Sequence, residues 1–316
     1  MVSQKKLNIA VIGAGKIAHS LTSALVKSGY NVSMVVSRNI NSAKRLALKN
    51  NITKYSSNLK DIPAACNFYI LSVPDNQIKL TADSLSKLKL NFRQSVFIHL
   101  SGALNVSALQ SLKRNRAQVA SLHIMQTFPS KKIISIKKCF AAVESGNRDT
   151  EIILFSIAEK LGLRAFKLKS KDKAFYHMAG VFASNFLVGL LFNAHKILER
   201  VKINDSDFFP MLEPIIFSTL NNIKNEGTSK ALSGPVERGD LQTVKEHISA
   251  LKLNLKKNKN DFYNYSIYLN YISQSLNLLE VVKDKKGNLT KEHLELKFFL
   301  LKELKSSRCL LNKISE

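Results

Sequence analysis

The sequence predicts an α/β fold, with a doubly wound, mostly parallel sheet over residues 1–169 and an all-helical domain over residues 170–316. The first observation is that short apolar runs alternate with helical patterns in the first half of the chain. The runs are Leu7–Ile12, Val32–Val36, Phe68–Val73, Val96–Leu100, Val119–Leu122 and Phe140–Val143. Because strands that alternate with helices form βαβ units, they predict a mostly parallel sheet.

The second observation is that strand patterns stop near residue 170. Long helical patterns cover Phe175–Arg200, Leu241–Leu255 and Tyr263–Val282, and an added basic helix is predicted after residue 288. The segments that we interpret as helix breakers between them are Asn204–Asp205, Pro210, Gly227, Gly234–Pro235 and Lys286–Gly287. These patterns indicate an all-helical C-terminal domain.

The composition restricts the classes of partner. The chain has 316 residues, is 45% hydrophobic and carries a net charge of +25, so it can form two domains with ordinary cores. A nucleic-acid-binding protein would cluster its positive charges and place aromatic residues among them. Here the charges are mostly Lys and are spread along the chain, so we expect no nucleic-acid partner. A basic surface still attracts anionic ligands such as a phosphorylated cofactor.

The cysteines and the apolar runs indicate in which cellular compartment the protein is expected. Cys66, Cys139 and Cys309 are far apart and form no CxxC pair, so neither a disulfide framework nor a zinc site is expected. The first residues run into a strand pattern without the features of a signal peptide. No apolar run approaches the roughly 20 residues that span a bilayer. We therefore expect a soluble, cytoplasmic protein with no membrane partner.

A glycine-rich turn follows the first predicted strand and precedes a helix. Its residues are Gly13, Ala14, Gly15, Lys16, Ile17 and Ala18. This is the G-x-G-x-x-A form of the Rossmann dinucleotide motif, in which Gly13 permits the tight turn and Gly15 lets the backbone approach a pyrophosphate. Ala18 keeps the helix close to the sheet, and the helix N-terminus offers N–H groups to phosphates. The alternative is a glycine-rich turn that binds nothing.

The end of the second strand indicates which nicotinamide cofactor binds. An NAD site usually has Asp or Glu here, whereas this chain has Ser37 and Arg38. No carboxylate would repel a 2′-phosphate, and a hydroxyl and a guanidinium could bind it. We therefore predict NADP(H) as the cofactor. The alternative is that Arg38 is an ordinary surface residue.

Two further strand ends are predicted to line the same cleft. Val73 ends the third apolar run and Pro74 follows it, and Ser101 and Gly102 follow the next run. Ligands of open α/β sheets lie at the carboxyl ends of the strands. We predict that Val73 and Pro74 contact the cofactor, and that Ser101 and Gly102 approach the nicotinamide. A purely turn-forming role for Pro74 and Gly102 remains open.

One predicted helix carries polar side chains on an otherwise apolar segment. Lys173, His177 and Ser184 fall on one face, and Asn185 lies beside them. Such groups mark either a site or a buried hydrogen-bond network. Lys173, His177 and Asn185 are the candidate catalytic residues, and Ser184 is a candidate substrate contact.

A second polar constellation surrounds a predicted loop from Ser233 to Asp240. Arg238 could bind an anion or brace the loop, and Asp240 could contact substrate or cap the next helix. Either residue could also be contributed to the site of a partner chain.

These motifs resemble those of an uncharacterised bacterial family that pairs a Rossmann-like domain with a helical domain of unknown function. The motifs are the Lys173–Asn185 segment, Leu232 to Thr243, Ser101-Gly102-Ala103, and His123 through Pro129. The resemblance extends from Leu7 to Leu289, with Ile124 standing where the family pattern has Pro. The chain is more distantly similar to pyrroline-5-carboxylate reductase and the β-hydroxyacid dehydrogenases. This similarity implies that the all-helical C-terminal domain is similar to the dehydrogenase dimerisation domain. It also implies a dimer partner at the active-site cleft, and a helix Lys and Asn near the substrate.

The sequence supports three hypotheses for function. The first is hydride transfer between NADPH and a small carbonyl, imine or hydroxy substrate, with His177 or Lys173 as general acid or base and Asn185 orienting the substrate. The second is a non-catalytic NADP-binding sensor or structural dimer. The third is a reductase that moves hydride between NADP and a deazaflavin. The long apolar helices predict a homodimer of C2 symmetry.

Overall fold

The computed structural model describes the backbone of residues 7–257 and 262–315, and the side chains of residues 7–255 and 262–307. The chain forms two compact units, Met1–Val188 and Gly189–Glu316. The last strand ends at Lys167, close to the predicted domain boundary at residues 169 and 170, whereas the compact units divide at Val188.

The first unit is built on an eight-stranded sheet. The strands are β1 (Asn8–Ile12), β2 (Asn31–Val36), β3 (Tyr55–Ser56), β4 (Phe68–Leu71), β5 (Val96–His99), β6 (Gln118–Ile124), β7 (Phe140–Ser145) and β8 (Arg164–Lys167). Their order is β3-β2-β1-β4-β5-β6-β7-β8, and every neighbouring pair is parallel except β6 and β7. The predicted α/β fold with a mostly parallel sheet is confirmed.

Helices cover both faces of this sheet. They are α1 (Lys16–Lys27), α2 (Ile40–Leu48), α3 (Asp75–Ser86), α4 (Gln110–Arg114) and α5 (Arg148–Lys160). After the last strand come α6 (Lys173–Val181) and a π-helical segment, Phe182–Phe186. Alternating strand residues point to opposite faces. In β1, Ile9 packs in the core that contains Leu21 of α1 and Leu154 of α5. Ala10 packs in the core that contains Ile78 of α3.

The strand order reverses between β1 and β4. From β1 the chain continues to β2 and β3 on one side, and it then returns to add β4, β5 and β6 on the other side. The connections after β1 and β4 leave the sheet in opposite directions, which opens a crevice outside the carboxyl ends of these strands. This crevice is the expected ligand position in an open parallel sheet.

In the described part of the second unit every secondary-structure element is a helix. Its helices are α7 (Leu187–Arg200, which starts at the end of the first unit), α8 (Asp205–Glu226), α9 (Thr228–Ala231), α10 (Pro235–Arg238), α11 (Leu241–Lys257), α12 (Phe262–Lys286) and α13 (Lys291–Ser315). Its core joins the apolar faces of the last three helices. Val244, Tyr268 and Leu300 are each fully buried there. The helical C-terminal domain is confirmed, and α13 lies where the sequence predicted an added helix after residue 288.

The prediction from the sequence missed several details of both units. β3 and β8 were not predicted, because one has two residues and the other is a half-exposed strand at the sheet edge. Pro210 was interpreted as a helix breaker, but it lies inside α8 together with Pro214. Each proline removes one backbone hydrogen bond, and the other bonds of this 22-residue helix are enough to maintain it.

One helical stretch is longer and more apolar than the sequence prediction allowed. Ser170–Arg200 spans 31 residues, and its most apolar window has a mean hydropathy of 1.5. By length and composition it could cross a membrane, and no residue of that window is buried in the chain. Polar residues such as His177 and Ser184 interrupt the apolar run in the sequence but leave the average hydropathy high.

The cysteines that can be described form no disulfide. Cys66 is buried and Cys139 is half-buried, and both thiols are free. The side chain of Cys309 lies outside the described residues.

Candidate functional site

The turn after β1 requires glycine at its first position. Gly13 has φ of +100°, and its N–H donates a 2.7 Å hydrogen bond to the carbonyl of Val36. A Cβ at this position would lie 2.2 Å from the carbonyl oxygen of Ser72. At Gly15 the same oxygen is 3.4 Å from the Cβ position. The backbone of the turn therefore lies directly against the end of β4, as the dinucleotide motif predicts.

The N-terminus of α1 is open to an anion. Gly15 is the N-cap and makes no side-chain capping bond, and the first turn contains no acidic residue. The first N–H groups of a helix have no partner within the helix and carry partial positive charge. The hydroxyl of Ser72, on the wall of this turn, is buried without a hydrogen-bond partner. These features fit a pyrophosphate bound at the turn.

A cavity of about 250 Å³ extends from this turn to the end of β2. Its wall includes the predicted residues Gly13, Ala14, Gly15, Ser37, Arg38, Val73 and Pro74. Ser42 and Lys131 lie on the same wall, and Lys131 Nζ is 3.5 Å from the Ser42 hydroxyl. The Arg38 guanidinium is 3.5 Å from Gln77 Oε1. Among the described residues that line this cavity, none carries a carboxylate, so this end suits a phosphate.

Two more cavities continue the cleft along the strand ends. The middle cavity, about 380 Å³, shares Gly15, Ser72, Val73 and Pro74 with the first. Its wall adds the predicted residues Lys16, Ile17, Ser101, Gly102 and His177, together with Asp75 and His123. The last cavity, about 280 Å³, shares His123, Gln126 and His177 with the middle one and adds Ser184 and Asn185. All the predicted cofactor residues thus lie along one cleft with His177, Ser184 and Asn185.

The π-helical segment positions the two polar residues at the end of the cleft. Ser184 is half-buried and Asn185 is exposed, and both belong to Phe182–Phe186. A π-turn inserts one extra residue into a helix, and such insertions are frequent at functional sites. Here it brings adjacent residues, Ser184 and Asn185, to the same cavity wall.

The loop after β5 is fixed by a buried serine and a buried histidine. Ser101 Oγ donates to Asp75 Oδ2 at 2.7 Å and accepts from the N–H groups of Ala103 and Leu104. His99 accepts from the Ser101 N–H through Nδ1, and its Nε2 is 3.3 Å from the Asn105 carbonyl oxygen. Burial, with a smaller effect from the Lys173 charge, lowers the pKa of His99 to about 4. A neutral His99 can therefore donate from Nε2 while accepting at Nδ1.

Gly102 leaves room for two imidazole rings. A Cβ at Gly102 would lie 2.7 Å from His123 Nε2 and 2.7 Å from His177 Cδ2. The centroids of the two rings are 6.2 Å apart. Any side chain at this position would displace one of the rings.

His123 is a candidate site residue that the sequence reasoning did not select. Its Nδ1 is 3.0 Å from the Tyr176 hydroxyl, and the two rings meet edge to face at 5.4 Å. Burial lowers the pKa of His123 to about 4, with smaller effects from His177 and Lys173. Burial also raises the pKa of Tyr176 to about 12. The available signal was the position of His123 near the end of an apolar strand, one residue before the sheet edge where ligands bind.

Lys173 is directed away from the cleft. Its Nζ is 2.7 Å from Glu144 Oε2 and 2.5 Å from Ser121 Oγ. Glu144 also accepts from the Val106 N–H and the Ser170 hydroxyl. Burial alone would raise the pKa of Glu144, but the hydrogen bonds from Lys173, the Val106 N–H and Ser170 hold it below its ordinary value. Lys173 lines none of the three cavities.

Arg238 and Asp240 lie in the second unit and are not among the residues that line the cleft. Asp240 Oδ1 accepts from the Thr243 N–H at 3.0 Å, and Oδ2 accepts from the Thr243 hydroxyl at 2.7 Å. This is the geometry of a helix N-cap. Arg238 is exposed and its Nη2 is 3.8 Å from Asp240.

One group in the second unit has ligand atoms close enough for a metal ion. His195, Glu199 and Asp205 present atoms within 4.8 Å of one another. The same atoms already have protein partners. His195 Nε2 is 3.0 Å from Asp205 Oδ1, and Lys196 Nζ contacts both carboxylate oxygens of Glu199.

Comparisons with known proteins agree with this architecture. Residues 8–99 match the family model described as "NADP oxidoreductase coenzyme F420-dependent". Residues 139–266 match the model described as "Domain of unknown function (DUF2520)". The two matches confirm the domain pair that the sequence motifs predict. No curated protein matches the chain.

Solved structures share the fold over most of their length. A candidate NADP oxidoreductase from Bacteroides fragilis has 22% identity and a TM-score of 0.67, covering 83% of this chain and 98% of its own. A protein from Thermotoga maritima has 25% identity and a TM-score of 0.65, covering 88% and 99%. A pyrroline-5-carboxylate reductase from Coxiella burnetii has 14% identity and a TM-score of 0.54, covering 87% and 99%.

Proposed function

We propose that this chain is an NADP(H)-dependent oxidoreductase that transfers hydride to or from a small carbonyl, imine or hydroxy substrate. The observation that carries the proposal is the cleft at the strand ends. It runs from Arg38, past the glycine turn, to a half-buried imidazole at His177 and the polar pair Ser184 and Asn185. A family match to NADP oxidoreductases over residues 8–99 supports it.

The residues of the first cavity fit NADP(H) better than NAD(H). Ser37, Arg38, Ser42 and Lys131 offer two cationic and two hydroxyl groups to a 2′-phosphate. Guanidinium and ammonium groups form strong, charge-assisted hydrogen bonds with phosphate oxygens. The glycine turn and the N-terminus of α1 would hold the pyrophosphate, and Val73 and Pro74 would contact the rest of the cofactor. The bound cofactor supplies or accepts the hydride.

The protein side of the reaction is the transfer of a proton and the orientation of the substrate. An imidazole can give or take a proton near neutral pH, and we assign this role to His177, which lines both the middle and the last cavity. Asn185 and Ser184 orient the substrate from the π-helical segment. Lys173 is a positioning residue, because its ion pair with Glu144 fixes the first turn of α6, four residues before His177.

A second candidate function is hydride transfer between NADP(H) and a deazaflavin. The description of the family model that matches residues 8–99 favours it. It requires a flat apolar surface beside the nicotinamide, whereas the last cavity combines apolar residues with His123, His177, Ser184 and Asn185. Activity with a deazaflavin and none with any carbonyl or imine would establish this alternative.

We also propose that the protein is a homodimer. Neither α7 nor α8 contains a buried residue, although both carry large apolar side chains. Those that are exposed are Val188, Leu190, Phe192, Ile197, Phe209, Met211, Ile215, Phe217, Leu220 and Ile223. An apolar surface of this extent is typical of an interface, and a second copy related by a two-fold axis would cover it. The same interface would explain the apolar stretch Ser170–Arg200 without a membrane.

The proposed location is the cytoplasm, and the proposed partners are a small-molecule substrate and the second copy, with neither nucleic acid nor membrane. The free thiols of Cys66 and Cys139 support a reducing compartment.

The experiment that tests the function is a screen for NADPH consumption. The purified protein is mixed with NADPH and panels of ketones, aldehydes and imines, and the fall in NADPH absorbance is followed. We expect turnover with at least one class, and loss of about 100-fold or more in His177→Ala without loss of NADPH binding. NADPH binding with no turnover on any class would instead support a non-catalytic sensor.

A further inference from the structure

The His123 ring has two nitrogens in different surroundings. Nδ1 is 3.0 Å from the Tyr176 hydroxyl, and Tyr176 is itself packed edge to face against Phe166 at 5.7 Å. Nε2 lies on the opposite edge of the ring, 2.7 Å from the Cβ position that Gly102 leaves empty. His123 and Gly102 both line the middle cavity. Nδ1 thus has a hydrogen-bond partner in the protein, and Nε2 faces the cleft.

The surroundings of His123 favour its neutral form. Three ionisable groups besides Tyr176 act on its charge: His177 across Gly102, the buried Lys173 of α6 and Asp75 of α3. Burial is the largest influence and holds the pKa of His123 near 4, while the pKa of Tyr176 is near 12. Over the neutral range His123 therefore has one ring proton, and Tyr176 keeps its hydroxyl proton.

The hydroxyl of Tyr176 decides where the ring proton is. In the part of the chain that the structure describes, the one hydrogen-bond partner of this hydroxyl is His123 Nδ1. With this single partner, the hydroxyl proton is hydrogen-bonded only if the hydroxyl donates to Nδ1, and the ring proton is then on Nε2. Nε2 then presents an N–H group to the cleft.

We propose that His123 is a catalytic residue that acts as an uncharged hydrogen-bond donor to the substrate, with its tautomer set by Tyr176. This inference rests on the proposed function and narrows it. A donor at this position needs an acceptor, so the reacting group is one with an uncharged acceptor atom, such as the oxygen of a ketone or aldehyde. A protonated iminium group has no acceptor there. His123 polarises the carbonyl and keeps its proton, and His177 exchanges the proton.

The first arm of the test needs no substrate. The chain has seven histidines, and ¹⁵N-detected correlation spectra distinguish the two neutral tautomers of each ring. His123 is assigned by the signal that disappears in His123→Gln. We expect the Nε2–H tautomer from about pH 5.5 to 8. A His123 signal that titrates in this range, or an Nδ1–H tautomer, would overturn the proposal.

Tyr176→Phe removes the hydroxyl and keeps the ring. We expect the His123 signals of this variant to move towards a mixture of both tautomers. The matched control is Tyr271→Phe in the second unit, where Tyr271 Oη is 2.7 Å from Nδ1 of the exposed His247. That variant should change the His247 signals and leave those of His123 as they are. Unchanged His123 signals in Tyr176→Phe would contradict the role of Tyr176.

The second arm uses the carbonyl compound that the unaltered protein reduces fastest with NADPH. A Gln amide can place an N–H near the position of Nε2, whereas an Asn amide reaches only the position of Nδ1. We expect His123→Gln to retain activity within about tenfold, and His123→Asn to lose about 100-fold. Equal losses in the two variants, or an iminium salt that is reduced faster than every carbonyl compound, would overturn the proposal. If NADPH does not bind, the proposed function fails while the spectra still decide the tautomer.

Discussion

Lys173 Nζ and Glu144 Oε2 are 2.7 Å apart, and both side chains are almost fully buried, with 2% and 4% of their surface exposed. Glu144 lies on β7 and Lys173 begins α6, so the pair joins the sheet to the helix that carries Tyr176 and His177. Because a buried charge without its partner is costly, this contact fixes the start of α6 relative to the cleft.

Replacing Lys173 should destabilise the first unit strongly. In Lys173→Met, Glu144 keeps a buried charge without its cation, and we expect a loss of about 3–5 kcal/mol in the free energy of unfolding. Urea denaturation gives this value. The matched control is Lys167→Met, because Lys167 pairs with Glu151 at 2.6 Å but is 60% exposed; its loss should stay below about 1 kcal/mol. Similar losses in the two variants would show that the buried pair has no special role.

Acid should weaken the fold through Glu144. The pKa of Glu144 in the folded chain lies below its ordinary value of 4.5, so the folded state prefers the ionised carboxylate. The stability that this preference contributes is complete above the ordinary value and is lost as the pH falls through the folded value. The double variant Lys173→Met/Glu144→Gln should therefore lose less stability than the unaltered protein between about pH 5 and 3. Equal losses in urea denaturation across this range would contradict the assignment.

Lys131 should contribute to the choice between NADPH and NADH. It comes from the loop after β6 and lines the same cavity end as Arg38 and Ser42. A charge-assisted hydrogen bond is worth about 1.5–3 kcal/mol, so Lys131→Ala should weaken NADPH binding about tenfold or more and leave NADH binding unchanged. Lys132→Ala is the matched control, since Lys132 is exposed and lines none of the three cavities. An equal loss for both cofactors in calorimetric titrations would argue against a 2′-phosphate contact.

A methyl group at residue 102 should block the cleft. In Gly102→Ala the new Cβ would lie 2.7 Å from ring atoms of both His123 and His177, so at least one ring must move. We expect turnover to fall about 100-fold, with NADPH binding within threefold of normal. Gly146→Ala serves as control, because no atom lies within 4 Å of its Cβ position. Normal turnover in Gly102→Ala would mean that neither ring has to hold its position.

A charge on the exposed face of α8 should dissociate the proposed dimer. Ile215 is 64% exposed and would be covered by the second copy, so Ile215→Glu should shift the protein to the mass of one chain in light scattering. Leu80→Glu is the control, on α3 of the first unit and 58% exposed; it should leave the mass unchanged. An unaltered protein that is a monomer at high concentration would remove the basis for a dimer.

The sequence predicted the features of the fold that have a strong periodic pattern. The long apolar strands, the glycine turn and the change to helices near residue 170 are all visible in the chain. β3 has only two residues, and β8 is partly exposed along its whole length, so neither forms an apolar run. Pro210 was wrongly predicted to end a helix. The rule that proline breaks helices takes no account of the backbone hydrogen bonds that remain on either side of it in α8.

The candidate site was predictable only where its residues belong to a contiguous motif. Helical periodicity grouped Lys173 with His177 and Ser184, but it could not show that Lys173 has a buried partner 29 residues earlier in the chain. His123 and Tyr176 are 53 residues apart, and their contact depends on how α6 packs on the end of β6. The π-helical segment likewise has no sequence pattern of its own, although it sets the positions of Ser184 and Asn185.

The most direct test of the proposed function is a calorimetric titration of the protein with NADPH and with NADH at moderate salt. We expect NADPH to bind at least about tenfold more tightly than NADH, and this preference to disappear in Arg38→Asp. Lys44→Asp makes the same change in charge on an exposed residue outside the cavity and should keep the preference. Binding of neither cofactor would contradict the central claim, because the glycine turn would then hold no dinucleotide and the cleft would need another ligand.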